Sequence, residues 1–206
     1  ISQKEKWTKL SNIYGEEKLE KTIRISDHRD STELAMLKSA EEHNIKTLIH
    51  LGDVVDRRKF INHNTAHNFK KIFWNKLEDY NIDTHILIGN HDTYFKNTND
   101  VNALQNLNIS KGAKIYTRPI DVNFDGLDIL FLPWICDDNH SDSIYAIDNS
   151  TSVIAMGHLE IKGFEMHKGH FNEQGLEKSQ FTKFEKVISG HFHKKSDDGR
   201  IYYLGT

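Results

Sequence analysis

The sequence is poor in the residues that mark secreted, fibrous or membrane-spanning proteins. Cys136 is the one cysteine among 206 residues, so no internal disulfide can form, which fits a reducing cytosol. Two prolines provide no proline-rich linker that would divide the chain. No run approaches the roughly 18 apolar residues that a membrane span needs, and the opening residues lack the apolar core of a secretory signal. These absences favour a globular cytoplasmic domain that makes no membrane contact.

A basic excess, which is common in nucleic-acid-binding proteins, is also missing. The chain has 27 basic and 30 acidic residues and a net charge of −3. DNA binding is not excluded by this balance, because carboxylates that hold metal ions count as negative and the bound cations reverse the local sign. What the chain does have is 13 histidines, a high number for its length. Their positions therefore decide the functional prediction.

Short apolar runs and helical periodicities predict the fold. Runs of this length are typical of strands buried on both faces, and they lie at Thr47–Leu51, Thr84–Ile88, Ile129–Leu132, Ser152–Met156, Lys186–Ser189 and Ile201–Leu204. Apolar residues at helical spacing predict helices over Ser31–His43 and Thr65–Tyr80. Asp125-Gly126 predicts a hairpin, so part of the sheet is antiparallel. We predict an α/β fold with mixed β-sheets sandwiched by α-helices over residues 25–206, preceded by an N-terminal segment of unclear role over residues 1–24.

Four polar clusters directly follow predicted strands: LGDVVDRR (51–58), IGNHD (88–92), MGHLE (156–160) and SGHFHKK (189–195). In α/β sheets ligands bind outside the carboxyl ends of strands. We therefore expect one cleft to be lined by Asp53, Asn90, His91, His158, His191 and His193. A lone Gly-His or Gly-Asp pair is more often structural, but four such clusters in this order are specific. The remaining histidines are assigned to the surface or core.

The residue types in these clusters suit a divalent cation. Carboxylate, amide oxygen and imidazole ligands fit Mn²⁺, Fe²⁺ or Zn²⁺. A glycine precedes each cluster and permits a close backbone approach. Alternation along an extended chain predicts that His191 and His193 point to one side, with Phe192 towards the core. If Asp53 bridges two cations about 3.5–4 Å apart, they would clamp a phosphate and activate a water.

The pattern GD…GNHD…GH…GHFH resembles the signature of calcineurin-like metallophosphoesterases. The longer segments LIHLGDVVDRRKFIN, IGNHDTYFKNTNDVNAL, LPWICDDN, GHLEIKGFEMHKG and SGHFHKKSDDGRIYYLGT are similar to the nuclease subunit of SbcCD-type DNA repair complexes. The similarity is strongest to the small subunit of tailed-phage recombination endonucleases and covers about residues 44–206. It implies hydrolysis of DNA phosphodiesters with two divalent ions, Mn²⁺ in this family. It also implies an SbcC-like coiled-coil ATPase partner, a homodimer and, for a phage protein, the host cytoplasm.

The resemblance also implies individual roles. Five residues would be metal ligands: Asp53 between both ions, Asn90, His158 and His191 at one ion, and His193 at the other. His91 would act beside the scissile phosphate as general acid or charge stabiliser, oriented by Asp92. Basic residues after two clusters would contact phosphate oxygens, namely Arg57, Arg58 and Lys194. A solvated charged loop is the alternative for these three.

The sequence departs from the family pattern in two places. The family opens with Asp-x-His after its first strand, whereas Asp27 and His28 are adjacent here. Adjacent strand residues face opposite ways, so Asp27 alone is the candidate ligand; a lost motif or missing residues are the alternatives. No segment here matches the family's C-terminal capping and ATPase-binding regions. Two other functions stay open: a phosphatase or small phosphodiesterase on non-DNA substrates, and a non-catalytic module if the first metal motif is lost.

Overall fold

The computed structural model describes residues 39–40, 42–107, 112–167 and 169–205. Most of the predicted helix Ser31–His43 and the candidate ligand Asp27 lie outside these residues. The described part begins with a parallel sheet of three strands, β1 (Thr47–His50), β2 (Asp83–Leu87) and β3 (Ala113–Tyr116), in that order. We call it the small sheet.

A mixed sheet of six strands, the large sheet, lies beside the small one. The strands after β3 are β4 (Ile120–Phe124), β5 (Leu127–Leu132), β6 (Ile154–Gly157), β7 (Glu165–His167), β8 (His170–Phe171), β9 (Lys186–Ser189), β10 (Ser196–Asp197) and β11 (Ile201–Tyr203). The large sheet has the order β10-β11-β9-β6-β5-β4, and β7 and β8 form a separate hairpin. Its four central strands are parallel and its two edge strands antiparallel. The β4–β5 turn has φ of 49° at Asp125 and 88° at Gly126, which confirms the predicted hairpin.

Helical segments cover the outer faces of both sheets. They are α1 (His63–Asn68), a π-helical stretch (Phe69–Trp74), α2 (Asn75–Asp79), α3 (Ala103–Asn106), α4 (His140–Asn149) and a 3₁₀ turn (Lys178–Phe181). The first three follow one another without a break, which confirms the predicted helix Thr65–Tyr80. Helix α4 was not predicted, because few of its residues are apolar. No helix in the described ranges is long and apolar enough to cross a membrane.

Alternation along the strands divides the core into three layers. In β1, Leu48 packs against the α1–α2 side, whereas Ile49 faces the space between the sheets. In β5, Leu130 faces the α4 side and Phe131 the space between the sheets. The order of layers is therefore helix, sheet, sheet, helix. The predicted α/β class with mixed sheets between helices is confirmed, and Cys136 is buried as a small core residue.

Candidate active site

Four strands from the two sheets end at the same place. The chain leaves β1, β2, β6 and β9 and runs directly into Asp53, Asn90, His158 and His191. In the large sheet, Gly157 of β6 pairs with Ser189 of β9, so His158 and the Gly190-His191 segment leave the sheet side by side. The site therefore lies at the carboxyl ends of parallel strands, where the sequence predicted a cleft.

The side chains of these four residues meet. Asp53, His158 and His191 each present a ligand atom, and these atoms lie within 4.8 Å of one another. The Asn90 Oδ1 atom is 2.9 Å from His158 Nε2 and 3.1 Å from His191 Nδ1. His158 Nε2 is also 3.2 Å from Asp53 Oδ2. One carboxylate, one amide oxygen and two imidazoles thus converge, and we call them the four-residue cluster.

The orientation of His158 is fixed from behind. Its Nδ1–H donates to the Leu51 carbonyl oxygen at 2.7 Å, since a carbonyl can only accept. The opposite nitrogen, Nε2, is thereby turned towards Asp53 and Asn90. Metal-ligating histidines characteristically hold their second nitrogen in this way. The buried His158 ring is therefore prearranged to present one nitrogen to the cluster.

Burial and neighbouring charges shift the pKa values of Asp53, His158 and His191. Burial raises the pKa of Asp53, but the charge and hydrogen bond of His158 and the His91 amide outweigh burial and lower that pKa to about 2. Burial lowers the pKa of His158, yet the Asp53 carboxylate reverses this and raises the pKa. Burial and the neighbouring His158 charge lower the pKa of His191 to about 3. Asp53 is thus ionised and His191 neutral, which is the state that a metal ligand requires.

Asp92 is fully buried and ties together the loops after β1 and β2. Its carboxylate accepts hydrogen bonds from the backbone amides of Asp53 (2.8 Å), Gly89 (2.9 Å) and Val55 (3.1 Å). Burial and the Asp53 charge raise the pKa of Asp92 to about 6, against the lowering effect of these amides. The sequence predicted that Asp92 orients His91. In the structure, the Asp92 carboxylate instead binds the backbone of the loop that carries Asp53.

Replacing Asp92 with asparagine is expected to lower the free energy of unfolding by about 1–3 kcal/mol. Asparagine offers one oxygen and one NH₂ group, so at least one of the three amides would face a donor instead of an acceptor. Urea unfolding of the metal-free protein measures the loss. Asp79→Asn makes the same chemical change at an exposed carboxylate and should cost less than about 0.5 kcal/mol. Equal stability of the two variants would contradict this role.

Two glycines let the loops approach each other more closely than other residues would permit. A Cβ atom on Gly52 would lie 2.5 Å from His158 Nδ1, and one on Gly89 would lie 2.3 Å from Asp53 Oδ1. Gly52 also has φ of 96°, a conformation that other residues rarely adopt. Both glycines are therefore required by the cluster itself, as the sequence pattern indicated.

The prediction that residues 191–193 form an extended chain is wrong. His191 has φ of 80°, and the Phe192 amide donates to the Gly190 carbonyl at 3.2 Å, which closes a tight turn. The turn sends His191 to Asn90 and Phe192 into the core, where it is 3% exposed. Asp53 also has a positive φ, 58°. Backbone strain of this kind is common at functional sites.

His193 and the predicted substrate-binding residues lie outside the four-residue cluster. His193 is exposed. Within the described ranges, it is not one of the residues whose ligand atoms lie within 4.8 Å of one another around Asp53. Lys194 pairs with Glu165. Arg57 is exposed beside Asp56, and Arg58 donates to the Thr93 hydroxyl at 3.5 Å. Their roles stay predictions.

His91 lies at the edge of the cluster. Its backbone amide donates to Asp53 Oδ1 at 2.8 Å, and its Nδ1 atom is 2.7 Å from the Asp56 carbonyl oxygen. Since the carbonyl only accepts, Nδ1 carries the hydrogen, and Nε2 is the atom that can exchange a proton. The orienting group is therefore the Asp56 backbone. A backbone carbonyl leaves no mark in the sequence, so residue patterns cannot reveal it.

Trp134 is a further residue that sequence reasoning did not assign to the site. Its ring centroid is 5.1 Å from that of His191 and 6.1 Å from that of His158. The Trp134 amide donates to the Ile88 carbonyl at 2.7 Å, which fixes it beside the end of β2. The indole therefore forms one wall of the cluster. The sequence signal for Trp134 is the segment LPWICDDN, which resembles the nuclease subunit of SbcCD-type complexes.

The comparisons with known proteins agree with this geometry. A family model described as calcineurin-like phosphoesterase matches residues 25–195. The chain belongs to the calcineurin-like phosphoesterase family. The matched range contains all four residues of the cluster, together with His91 and Asp92. The family predicted from the GD…GNHD…GH…GHFH pattern is thus confirmed.

Among curated relatives of this phosphoesterase is exonuclease subunit 1 of Enterobacteria phage T4. The two are 35% identical over 172 residues, which is 82% of this chain and 50% of the relative. The chain thus spans about half the length of the curated relative it matches. This finding confirms the predicted similarity to a phage nuclease subunit.

Two solved structures resemble the chain at low identity. One is a protein of unknown function from Aquifex aeolicus, with a TM-score of 0.41, 17% identity and coverage of 88% of this chain and 82% of the other. The second is the GAP50 anchor of the Plasmodium inner membrane complex, with a TM-score of 0.43, 12% identity and coverage of 87% and 68%. Similarities this low carry no argument about function.

Proposed function

We propose that this phosphoesterase is a metal-dependent nuclease that hydrolyses DNA phosphodiesters. The observation that carries the proposal is the convergence of Asp53, Asn90, His158 and His191 beside His91. The similarity to a phage exonuclease subunit supports DNA as the substrate. A calcineurin-like phosphoesterase is a hydrolytic enzyme, and we propose a DNA phosphodiester as the bond that it hydrolyses.

The donor set fits a divalent cation. A partly exposed carboxylate with a low pKa, an amide oxygen and two imidazoles are suitable ligands for Mn²⁺, and none of the four is a thiolate. A bound cation would supply Lewis acidity towards a phosphate and lower the pKa of water. Asp53, Asn90, His158 and His191 would hold it. A second ion, held by Asp53 and His193 with Asp27, remains part of the proposal.

The chain's own residues supply the other requirements. His91 directs Nε2 at the substrate, because Nδ1 is held by the Asp56 carbonyl, and gives a proton or hydrogen bond to the leaving oxygen. Asp92 holds the backbone on which Asp53 and His91 depend. Three basic side chains would contact phosphate oxygens of the DNA, namely Arg57, Arg58 and Lys194. Lys194 would do so once its ion pair with Glu165 opens.

The relative is called a subunit, which supports a partner in the working enzyme. We extend the proposal to an SbcC-like coiled-coil ATPase as that partner and to a homodimer of the nuclease subunit. Co-purification with the ATPase and sedimentation of the chain alone test these two parts separately from the chemistry.

We expect the purified chain to cleave double-stranded DNA in Mn²⁺ and to lose this activity when EDTA removes the ion. The measurement is release of labelled nucleotides or fragments from linear and circular duplexes. Circular duplex resists an exonuclease, so the pair of substrates also reports endonuclease activity.

Turnover of p-nitrophenyl phosphate serves as the comparison reaction. Fast turnover of this small ester, together with intact DNA in Mn²⁺, would contradict the nuclease proposal and favour a phosphatase. No hydrolysis of either substrate, with about one ion bound per chain, would favour a non-catalytic module.

A further inference from the structure

Large aromatic side chains are exposed next to the candidate active site. Phe60 is 79% exposed, Phe95 48% and Tyr94 43%. Soluble proteins bury most side chains of this size, and grouped exposed aromatics mark binding surfaces. These residues belong to the loops after β1 and β2, which also carry Asp53 and His91.

A contact between Lys59 and Tyr94 joins the two loops. The Lys59 ammonium lies 5.5 Å from the centre of the Tyr94 ring, and the Tyr94 and Phe95 rings are 4.7 Å apart and nearly perpendicular. The Tyr94 amide also donates to the Val101 carbonyl at 2.9 Å, which anchors its loop. We call residues 56–60 and 94–96 the aromatic ledge.

The aromatic ledge is continuous with the catalytic residues. Its first residue, Asp56, accepts the hydrogen bond from His91 Nδ1, and Tyr94 follows His91 by three positions. A strand lying on the ledge would therefore have a phosphate close to His91. The ledge is also basic, with four basic side chains against one acidic, whereas the whole chain has a net charge of −3.

We propose that the aromatic ledge stacks the bases of an unpaired nucleotide strand while its basic side chains hold the phosphates. Exposed aromatics interleaved with lysine and arginine are the combination that single-strand binding uses, since every base offers a face for stacking. This inference rests on the proposed nuclease function and adds to it a binding surface for an unpaired strand beside the cut.

A second copy of the chain is a poorer occupant for the ledge. Most homodimers are two-fold symmetric, so a patch on the axis would meet itself. The basic side chains would then face each other, and like charges oppose association. A polyanion satisfies both the aromatic and the charged parts of the surface.

Binding of a fluorescein-labelled oligothymidylate of about 15 nucleotides, measured by anisotropy in EDTA, tests the inference. We expect Phe60→Ala/Tyr94→Ala to bind at least about fivefold more weakly than the original chain, since each lost stack removes a favourable contact. Phe60→Tyr/Tyr94→Phe keeps both rings and should bind as the original does. A blunt duplex of the same length should show less than about a twofold change, because paired bases cannot reach the rings.

Tyr145→Ala is the matched control, since Tyr145 is 69% exposed but lies on α4, away from the ledge loops in sequence. It should leave oligothymidylate binding unchanged.

Equal binding by the alanine double variant and the original chain would overturn the inference, as would a double variant that only converts a dimer to a monomer in sedimentation. The assay contains no metal, so it is independent of hydrolysis. Loss of strand binding in the double variant with no DNA cleavage by the original chain would count against the nuclease proposal alone.

Discussion

Replacing His91 with alanine is expected to lower the rate of DNA cleavage about 10²–10⁴-fold, the usual contribution of a positioned proton donor or acceptor. The imidazole is held by the Asp56 carbonyl at 2.7 Å, so Nε2 has a fixed direction, which alanine cannot supply. Affinity for Mn²⁺ should stay close to that of the original chain, because His91 is not in the four-residue cluster. Cleavage kinetics in saturating Mn²⁺ and calorimetric titration of the ion measure the two effects separately.

His67→Ala is the matched control for this experiment. His67 is exposed in α1, outside the two loops that carry Asp53 and His91. Its loss should leave both cleavage and metal affinity unchanged. If His91→Ala cleaved DNA at the original rate, the role assigned to His91 would be wrong. If it lost the ion as well, His91 would have to be counted among the ligands.

Replacing Asp53 with asparagine is expected to weaken Mn²⁺ binding by more than the roughly 10–100-fold that loss of a supporting residue costs. Asp53 is the charged ligand of the four-residue cluster. Burial raises its pKa, but the charge and hydrogen bond of His158, with the His91 amide, outweigh the effect of burial and keep Asp53 ionised with a pKa of about 2. DNA cleavage should fall with metal occupancy. The readout without activity is thermal unfolding, because an ion at 100 times its dissociation constant stabilises the folded state by about 2.7 kcal/mol.

The original chain should therefore melt at a higher temperature when Mn²⁺ is added, and Asp53→Asn should not. Asp148→Asn removes an exposed carboxylate of α4 and should respond to Mn²⁺ as the original chain does. An equal rise in melting temperature for Asp53→Asn would show that the ion binds without this carboxylate. That result would remove the basis for the cluster as a metal site.

The strands that the sequence predicted are those buried on both faces. Ile129–Leu132 and Lys186–Ser189 are near-continuous apolar runs, and a central strand needs this pattern whatever its neighbours are. Strand β3 and helix α4 were missed for the opposite reason. The residues of β3 are half-exposed, and α4 buries only Ser143 and Ile147, so neither carries a clear period.

The candidate site was predicted as a set of residues but only in part as an arrangement. Glycine followed by Asp, Asn or His after an apolar run marks a strand end, and this local signal identified Asp53, Asn90, His158 and His191. Two features depend on contacts across the fold: the turn at His191 and the three backbone amides that Asp92 binds. A pattern of residue types does not encode the backbone partner of a side chain, so these features emerge only in the structure.

The most direct test of the account is the position of a bound ion. In crystals soaked with Mn²⁺, anomalous scattering at the manganese absorption edge should reveal an ion contacted by Asp53, Asn90, His158 and His191. Asp53→Asn crystals should show that site weakened or empty under the same conditions. An ion held by other residues, or the four side chains left unchanged around an empty centre at saturating Mn²⁺, would contradict the assignment of this cluster as the metal site.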